Sequence, residues 1–182
     1  ATTIDGADSG ASTNSVAVTL DDGATAANAA VDIGTSLTFT DFATATINVS
    51  TDSVTSGTYT ASSITALTGS ADNTSVTIEA GSNGVTLATS ANLGTGVLTI
   101  NSSGAIALGS TDITAGGFTA SGSGAVTATN LDSGNVGTVT TGSGIDTLTF
   151  DTTDDSLTLT TNGGNDIITL SDSTVAAKSY VI

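Results

Sequence analysis

The sequence predicts an all-β fold, a right-handed parallel β-solenoid (β-helix or β-roll) of about eight coils that takes in residues 1–182 as a single domain. Three observations predict it. Thr or Ser alternates with Val, Ile, Leu or Phe along most of the chain, the period-two pattern of a strand with one buried face. Similar segments recur at a near-constant interval. Helical periodicity is weak, with only GATAANAA at 23–30 suited to a brief helical turn, and Pro is absent, so turns rely on Gly, Asn, Asp and Ser.

In chain order the alternation predicts strands at SVAVTL (15–20), SLTFT (36–40), TATINV (44–49), GTYT (57–60), SVTIEA (75–80) and GVTLAT (84–89). It continues through GVLTI (96–100), GAIAL (104–108), GAVTAT (124–129), GTVTT (137–141), DTLTF (146–150), SLTLT (156–160) and DIITL (166–170). Openings at Ser15, Ser36, Ser56, Ser75, Gly96, Gly117, Gly137 and Ser156 recur every 19 to 21 residues. A second series, Leu67, Leu87, Leu108, Ala128, Leu148 and Ile168, interleaves at 20 or 21. Two strands and two turns per period of about 20 residues describe one solenoid coil. Alternation alone also suits an antiparallel sandwich, and the fixed period is what separates the two.

One inner wall is then expected from Leu37, Phe39, Val76, Ile78, Leu98, Ile100, Leu157 and Leu159. Val85, Leu87, Ile106, Leu108, Leu148, Phe150, Ile168 and Leu170 form the other, with Thr neighbours pointing out. Apolar columns of this kind serve as a ligand tunnel or as a thin packed core. With two Tyr and four Phe to wall a cavity, the packed core is the reading adopted.

Composition excludes much chemistry. There is no His, Cys or Trp, and Lys178 is the sole Lys or Arg, so thiol and imidazole nucleophiles, zinc sites of N/S type and guanidinium clamps are all ruled out. The formal charge of −16 at pH 7 excludes nucleic acid and anionic membrane as electrostatic partners and favours a cation. No apolar run approaches the ~18 residues of a transmembrane helix. The absence of Met predicts a processed chain or part of one. Paired carboxylates hydrolyse glycosides on some β-helices, but those sites need donors and aromatic platforms that are scarce here, so no enzyme is expected.

Asp32, Asp52, Asp72, Asp112, Asp132 and Asp172 share one phase of the period, with Asn92 at one intervening slot and Asp151 one place early at another. They are expected to form a turn column. Carboxylates stacked about 4.8 Å apart repel by roughly 1 kcal/mol in water and several times that in a protein-like medium. Two readings stay open: an Asx-turn ladder in which each Asp accepts a bond from its own turn backbone, or Ca²⁺ held between successive turns, including at Asp112, Asp132 and Asp151.

Thr141-Gly142-Ser143-Gly144-Ile145-Asp146-Thr147-Leu148-Thr149 matches the calcium-binding nonapeptide G-G-x-G-x-D-x-U-x with only its first Gly replaced. Twenty residues on, Thr161-Asn162-Gly163-Gly164-Asn165-Asp166-Ile167-Ile168-Thr169 keeps the third Gly, the Asp and the apolar residue. Over 141–169 the chain resembles the RTX-type calcium-binding β-roll proteins of bacteria, and in its whole composition the Thr/Ser/Gly/Asp-rich surface-layer (S-layer) proteins. The resemblance implies Ca²⁺ between stacked turns, with Asp146 and Asp166 as carboxylate ligands and Gly142, Gly144 and Gly164 as turn and carbonyl positions. RTX repeats come every nine residues or so, whereas this chain averages about ten, so extra turn residues enlarge or abolish individual sites.

The expected function is that of a structural, self-assembling protein of the cell surface: extracellular, stabilised by calcium, a homo-oligomeric lattice or filament, with cell-surface polysaccharide as an attachment partner. The alternative is an adhesin or fibre-stalk module. T-x-T pairs such as Thr138/Thr140 and Thr158/Thr160 resemble those of ice-binding solenoids, but Glu79 and Asn101 break the rank, and solvated strand faces account for them.

Overall fold

The computed structural model describes residues 2–6, 14–20, 32–49, 62–68, 74–82, 84–109, 112–132, 136–151, 157–171 and 180–181. These residues are all-β. In chain order the strands are β1 (Thr2–Asp5), β2 (Ser15–Leu20), β3 (Asp32–Thr40), β4 (Thr44–Val49), β5 (Ser62–Thr68), β6 (Ser75–Gly81), β7 (Val85–Asn92) and β8 (Val97–Ser102). There follow β9 (Ile106–Leu108), β10 (Asp112–Thr114), β11 (Gly117–Ser121), β12 (Val126–Asp132), β13 (Thr138–Thr140), β14 (Thr147–Asp151), β15 (Leu157–Thr160), β16 (Ile167–Leu170) and β17 (Tyr180–Val181).

They form two sheets, and every pairing is parallel. The first sheet runs β1-β3-β5-β7-β9-β12-β14-β16 with β10 added on β7, and the second runs β2-β4-β6-β8-β11-β13-β15-β17. The chain therefore passes back and forth between sheets, each passage adding one strand to a ladder, except that β9 is followed by β10 in the same sheet. From the middle of the chain onward the register is nearly constant: Val97 faces Gly117, Thr138 faces Thr158, and Thr127 faces Thr147, each a step of 20. Inward residues of both sheets meet in one core, where Ile47, Ile78, Leu98 and Ile100 of the second sheet and Leu87, Leu148 and Phe150 of the first are all fully buried. Between them stand outward Thr residues: Thr46, Thr77, Thr99, Thr119, Thr140 and Thr160 form one column along the second sheet.

The N-terminal half departs from the expected period. Ser15 faces Thr44 and Thr44 faces Ser75, steps of 29 and 31, while Thr2 faces Leu37, a step of 35. Consequently SLTFT does not continue the series of SVAVTL. Leu37 and Phe39 are buried as expected, but they belong to the first sheet, beside β1 and β5. An alternating segment looks the same on either sheet, so the spacing between Ser15 and Ser36 suggested a stacking that does not occur. Short strands carrying few apolar residues, β1, β10 and β17, were not expected, and neither were β5 and β11 as full strands. The expected strand at 57–60 and the turn at 23–30 lie outside the described residues. Among the inner-wall residues, Ile168 is only partly buried and Leu170 is 40 % exposed, because β16 is the last strand of its ladder among the described residues.

Candidate functional site

Four connections from the second sheet to the first stack on one another: 103–105 after β8, 122–125 after β11, 141–146 after β13 and 161–166 after β15. Gly104, Gly124, Gly144 and Gly164 occupy the same place in each, and the reason is contact. A Cβ on Gly124 would press against the carbonyl oxygen of Gly104, one on Gly144 against that of Gly124, and one on Gly164 against that of Gly144. Backbone amides join the stack: Ser143 N–H donates to Gly122 O at 3.0 Å and Gly163 N–H to Gly142 O at 3.4 Å. Gly164 has φ +118°, outside the range an L side chain readily adopts. Two of these glycines, Gly104 and Gly124, were missed in the sequence because no Asp follows them; their exact 20-residue spacing was the available signal.

The two Asp residues of the motif stack in register at the mouth of β14 and β16. Asp146 is fully buried, and its Oδ1 accepts the backbone N–H of Val126 at 2.8 Å. Asp166 Oδ1 likewise accepts the N–H of Asp146 at 3.0 Å. In earlier circuits backbone carbonyls do this work: Ile106 N–H donates to Ala125 O and Val85 N–H to Ala105 O, both at 2.9 Å. Each carboxylate thus stands in for a main-chain acceptor of its own circuit and holds the circuit before it. The bond is not an Asx turn, in which an Asp accepts from its own turn backbone, since each partner lies 20 residues away.

One oxygen of this ladder is left over. Asp146 Oδ2 is buried with no hydrogen-bond partner, and so is the hydroxyl oxygen of Thr141, which is fully buried in the same turn. Orphaned buried oxygens cost about 1–3 kcal/mol each unless something supplies a donor or a positive charge. A carboxylate oxygen and a hydroxyl are ligands of the kind that a hard cation such as Ca²⁺ takes, six to eight oxygens in all. Thr141 stands where the nonapeptide has its first Gly.

The remaining candidates fall elsewhere. Asp132 faces Asp151 at the far ends of β12 and β14, about five residues or ~16 Å along the strand from Asp146. Asp112 lies in β10, facing Ser90, and Asp32 in β3, facing Ser63. The shared 20-residue phase holds from Asp132 to Asp151, which pair, but does not reach back to Asp32, because the N-terminal steps are longer than 20; Asp52, Asp72 and Asp172 lie outside the described residues. No group of three or more Asp or Glu side chains converges among the described residues. No helix among them is long and apolar enough to cross a membrane. No protein-family model, curated protein or solved structure matches the chain.

Proposed function

We propose that the chain winds as a right-handed parallel β-solenoid of about eight coils and serves as a structural, self-assembling subunit of an extracellular surface layer or filament, stabilised by Ca²⁺. Right-handedness is the sense that parallel crossovers adopt almost without exception. The observation that supports the assembly reading lies at the end of the first sheet: among the described residues β16 pairs with β14 alone, and its inward Leu170 is 40 % exposed. Unpaired strand edges recruit further strands unless they are covered. Calcium is supported by the orphaned oxygens of Asp146 and Thr141. A charge of −16 keeps copies apart until cations neutralise it, which makes assembly cation-gated and suits a calcium-rich exterior. Polysaccharide of the cell surface is the proposed attachment, and no catalytic step is assigned.

Calorimetry and light scattering test this reading. Calcium added to chelated protein at ~100 times a Kd of about 10⁻⁴ M is expected to stabilise it by about 2.7 kcal/mol, a rise in melting midpoint of roughly 5–10 °C. Particle size should grow on calcium return and fall on chelation. A chain that stays monomeric at every calcium level supports instead the fibre-stalk reading, a rod that works unassembled.

A further inference from the structure

We infer that the side-chain amide of Asn162 does between the turns 141–146 and 161–166 what a cation does one gap earlier, so that this part of the stack takes up one ion rather than two. This rests on the calcium reading above and concerns which gap between turns the ion enters.

The two gaps share a backbone plan. Ser143 N–H donates to Gly122 O across the first, and Gly163 N–H donates to Gly142 O across the second. Asp146 and Asp166 also enter alike, each offering Oδ1 to a main-chain N–H of the circuit before it. The difference lies one residue ahead of Ser143 and Gly163. In the first turn that residue is Gly142, where a Cβ would lie against Gly122 O with Gly122 C at 3.1 Å and Gly122 N at 3.2 Å. All three are backbone atoms, so the place admits no side chain. In the second turn it is Asn162, at φ +50°, a left-handed conformation that Asn and Asp adopt more readily than other side chains. Its Nδ2 donates to Thr141 O at 2.5 Å.

The oxygens divide accordingly. Thr141 O and Gly142 O both face the second gap, and both are taken, one by Asn162 Nδ2 and the other by Gly163 N–H. Thr141 N–H is engaged on the same side, donating to Thr160 O at 2.8 Å. An ion entering the second gap would have to displace the amide from Thr141 O, since Ca²⁺ and an N–H donor compete for the same carbonyl lone pairs. The first gap has no side-chain amide in the equivalent place, and there Asp146 Oδ2 and Thr141 Oγ1 stay buried without a donor. Positive charge is therefore required at Asp146 and replaced by a neutral donor one circuit on. Charge balance points the same way. Asp146 and Asp166 are the two carboxylates of these turns, and an amide joins the turns without adding a third.

Asn162→Asp is the discriminating substitution, because it keeps side-chain shape and backbone preference while exchanging a donor for a charged acceptor. In chelator the new carboxylate faces Thr141 O with no donor between them, and the melting midpoint is expected to fall by roughly 3–8 °C. In CaCl₂ at about 1–5 mM, equilibrium dialysis is expected to count one more ion per chain than the parent binds, with the lost stability recovered. Asp146→Asn should count one fewer, and the double variant the parent's number. Comparison between variants cancels ions held elsewhere on a chain of charge −16. Thr138→Asp, at an exposed position in β13, controls for added charge alone and should leave the count unchanged. In the parent itself, the Asn162 side-chain amide resonances should stay in place as calcium is added. If Asp146→Asn loses an ion but Asn162→Asp gains none, or if calcium shifts the Asn162 amide strongly in the parent, the assignment of Asn162 is overturned and the calcium reading stands. A parent that takes up no Ca²⁺ at millimolar levels, or that loses none with Asp146→Asn, overturns both.

Discussion

Replacing Gly144 by Ala is expected to destabilise the chain by about 3 kcal/mol or more, a lesion of the kind produced by overpacking a core combined with lost hydrogen bonds. The added methyl would lie against the carbonyl oxygen of Gly124, with Ala125 N at 2.7 Å and Gly124 C also at 2.7 Å. All three are backbone atoms, so no side chain can swing aside. Relief requires the two turns to separate, which loosens the Ser143-to-Gly122 bond and the Asp146 contact with Val126. Two other glycines calibrate the effect. At Gly163 the new methyl would meet only the Ser143 side chain and Cα at 3.6 and 3.7 Å, ordinary contact, so Gly163→Ala should fall within about 0.5 kcal/mol of the parent. Gly81 has open space but φ +58°, so Gly81→Ala should cost about 1 kcal/mol from backbone strain alone. Urea midpoints for the three variants give the comparison. A Gly144→Ala cost below about 1 kcal/mol would mean that the turns do not stack this closely.

Much of the strand content was legible because a half-buried strand writes its period directly into the sequence: TATINV is β4 and SVAVTL is β2, residue for residue. Which sheet a strand joins was not legible where connections lengthen, since SLTFT would bury the same Leu37 and Phe39 in either sheet. The Asp phase broke down at Asp32 for the same physical reason, whereas Asp132 and Asp151 do pair. A sequence interval becomes a spatial column only if every intervening circuit has the same length, and the steps from β2 to β4 and from β4 to β6 do not. The nonapeptide did locate two turns that stack. What it concealed is the division of labour within the carboxylate, because one oxygen is committed to a main-chain N–H of the preceding circuit, a partner 20 residues away that only the register reveals.

Asp146→Ala and Asp146→Asn, each measured with and without calcium, are expected to separate the two roles of that carboxylate. Alanine removes the acceptor of the Val126 N–H and leaves a buried donor unpaired, so metal-free Asp146→Ala should lose about 1–3 kcal/mol, with a further contribution from the small cavity. Asparagine keeps an oxygen to accept that bond. It also removes a buried charge whose second oxygen has no partner, so metal-free Asp146→Asn should match the parent within about 1 kcal/mol. Calcium reverses the comparison. If Oδ2 ligates the ion, the parent gains about 2.7 kcal/mol at ~100 times Kd, while Asp146→Asn, with a neutral amide in place of the anionic ligand, loses most of that gain. Asp166→Ala serves as the neighbour control: its Oδ1 holds the Asp146 N–H from a half-buried position, and its loss should cost about 1 kcal/mol without calcium. An Asn variant as calcium-responsive as the parent would remove Asp146 from the metal site and leave it a purely structural acceptor. An Ala variant as stable as the parent without calcium would remove the ladder instead, since a buried main-chain donor stripped of its acceptor has no other way to avoid the cost.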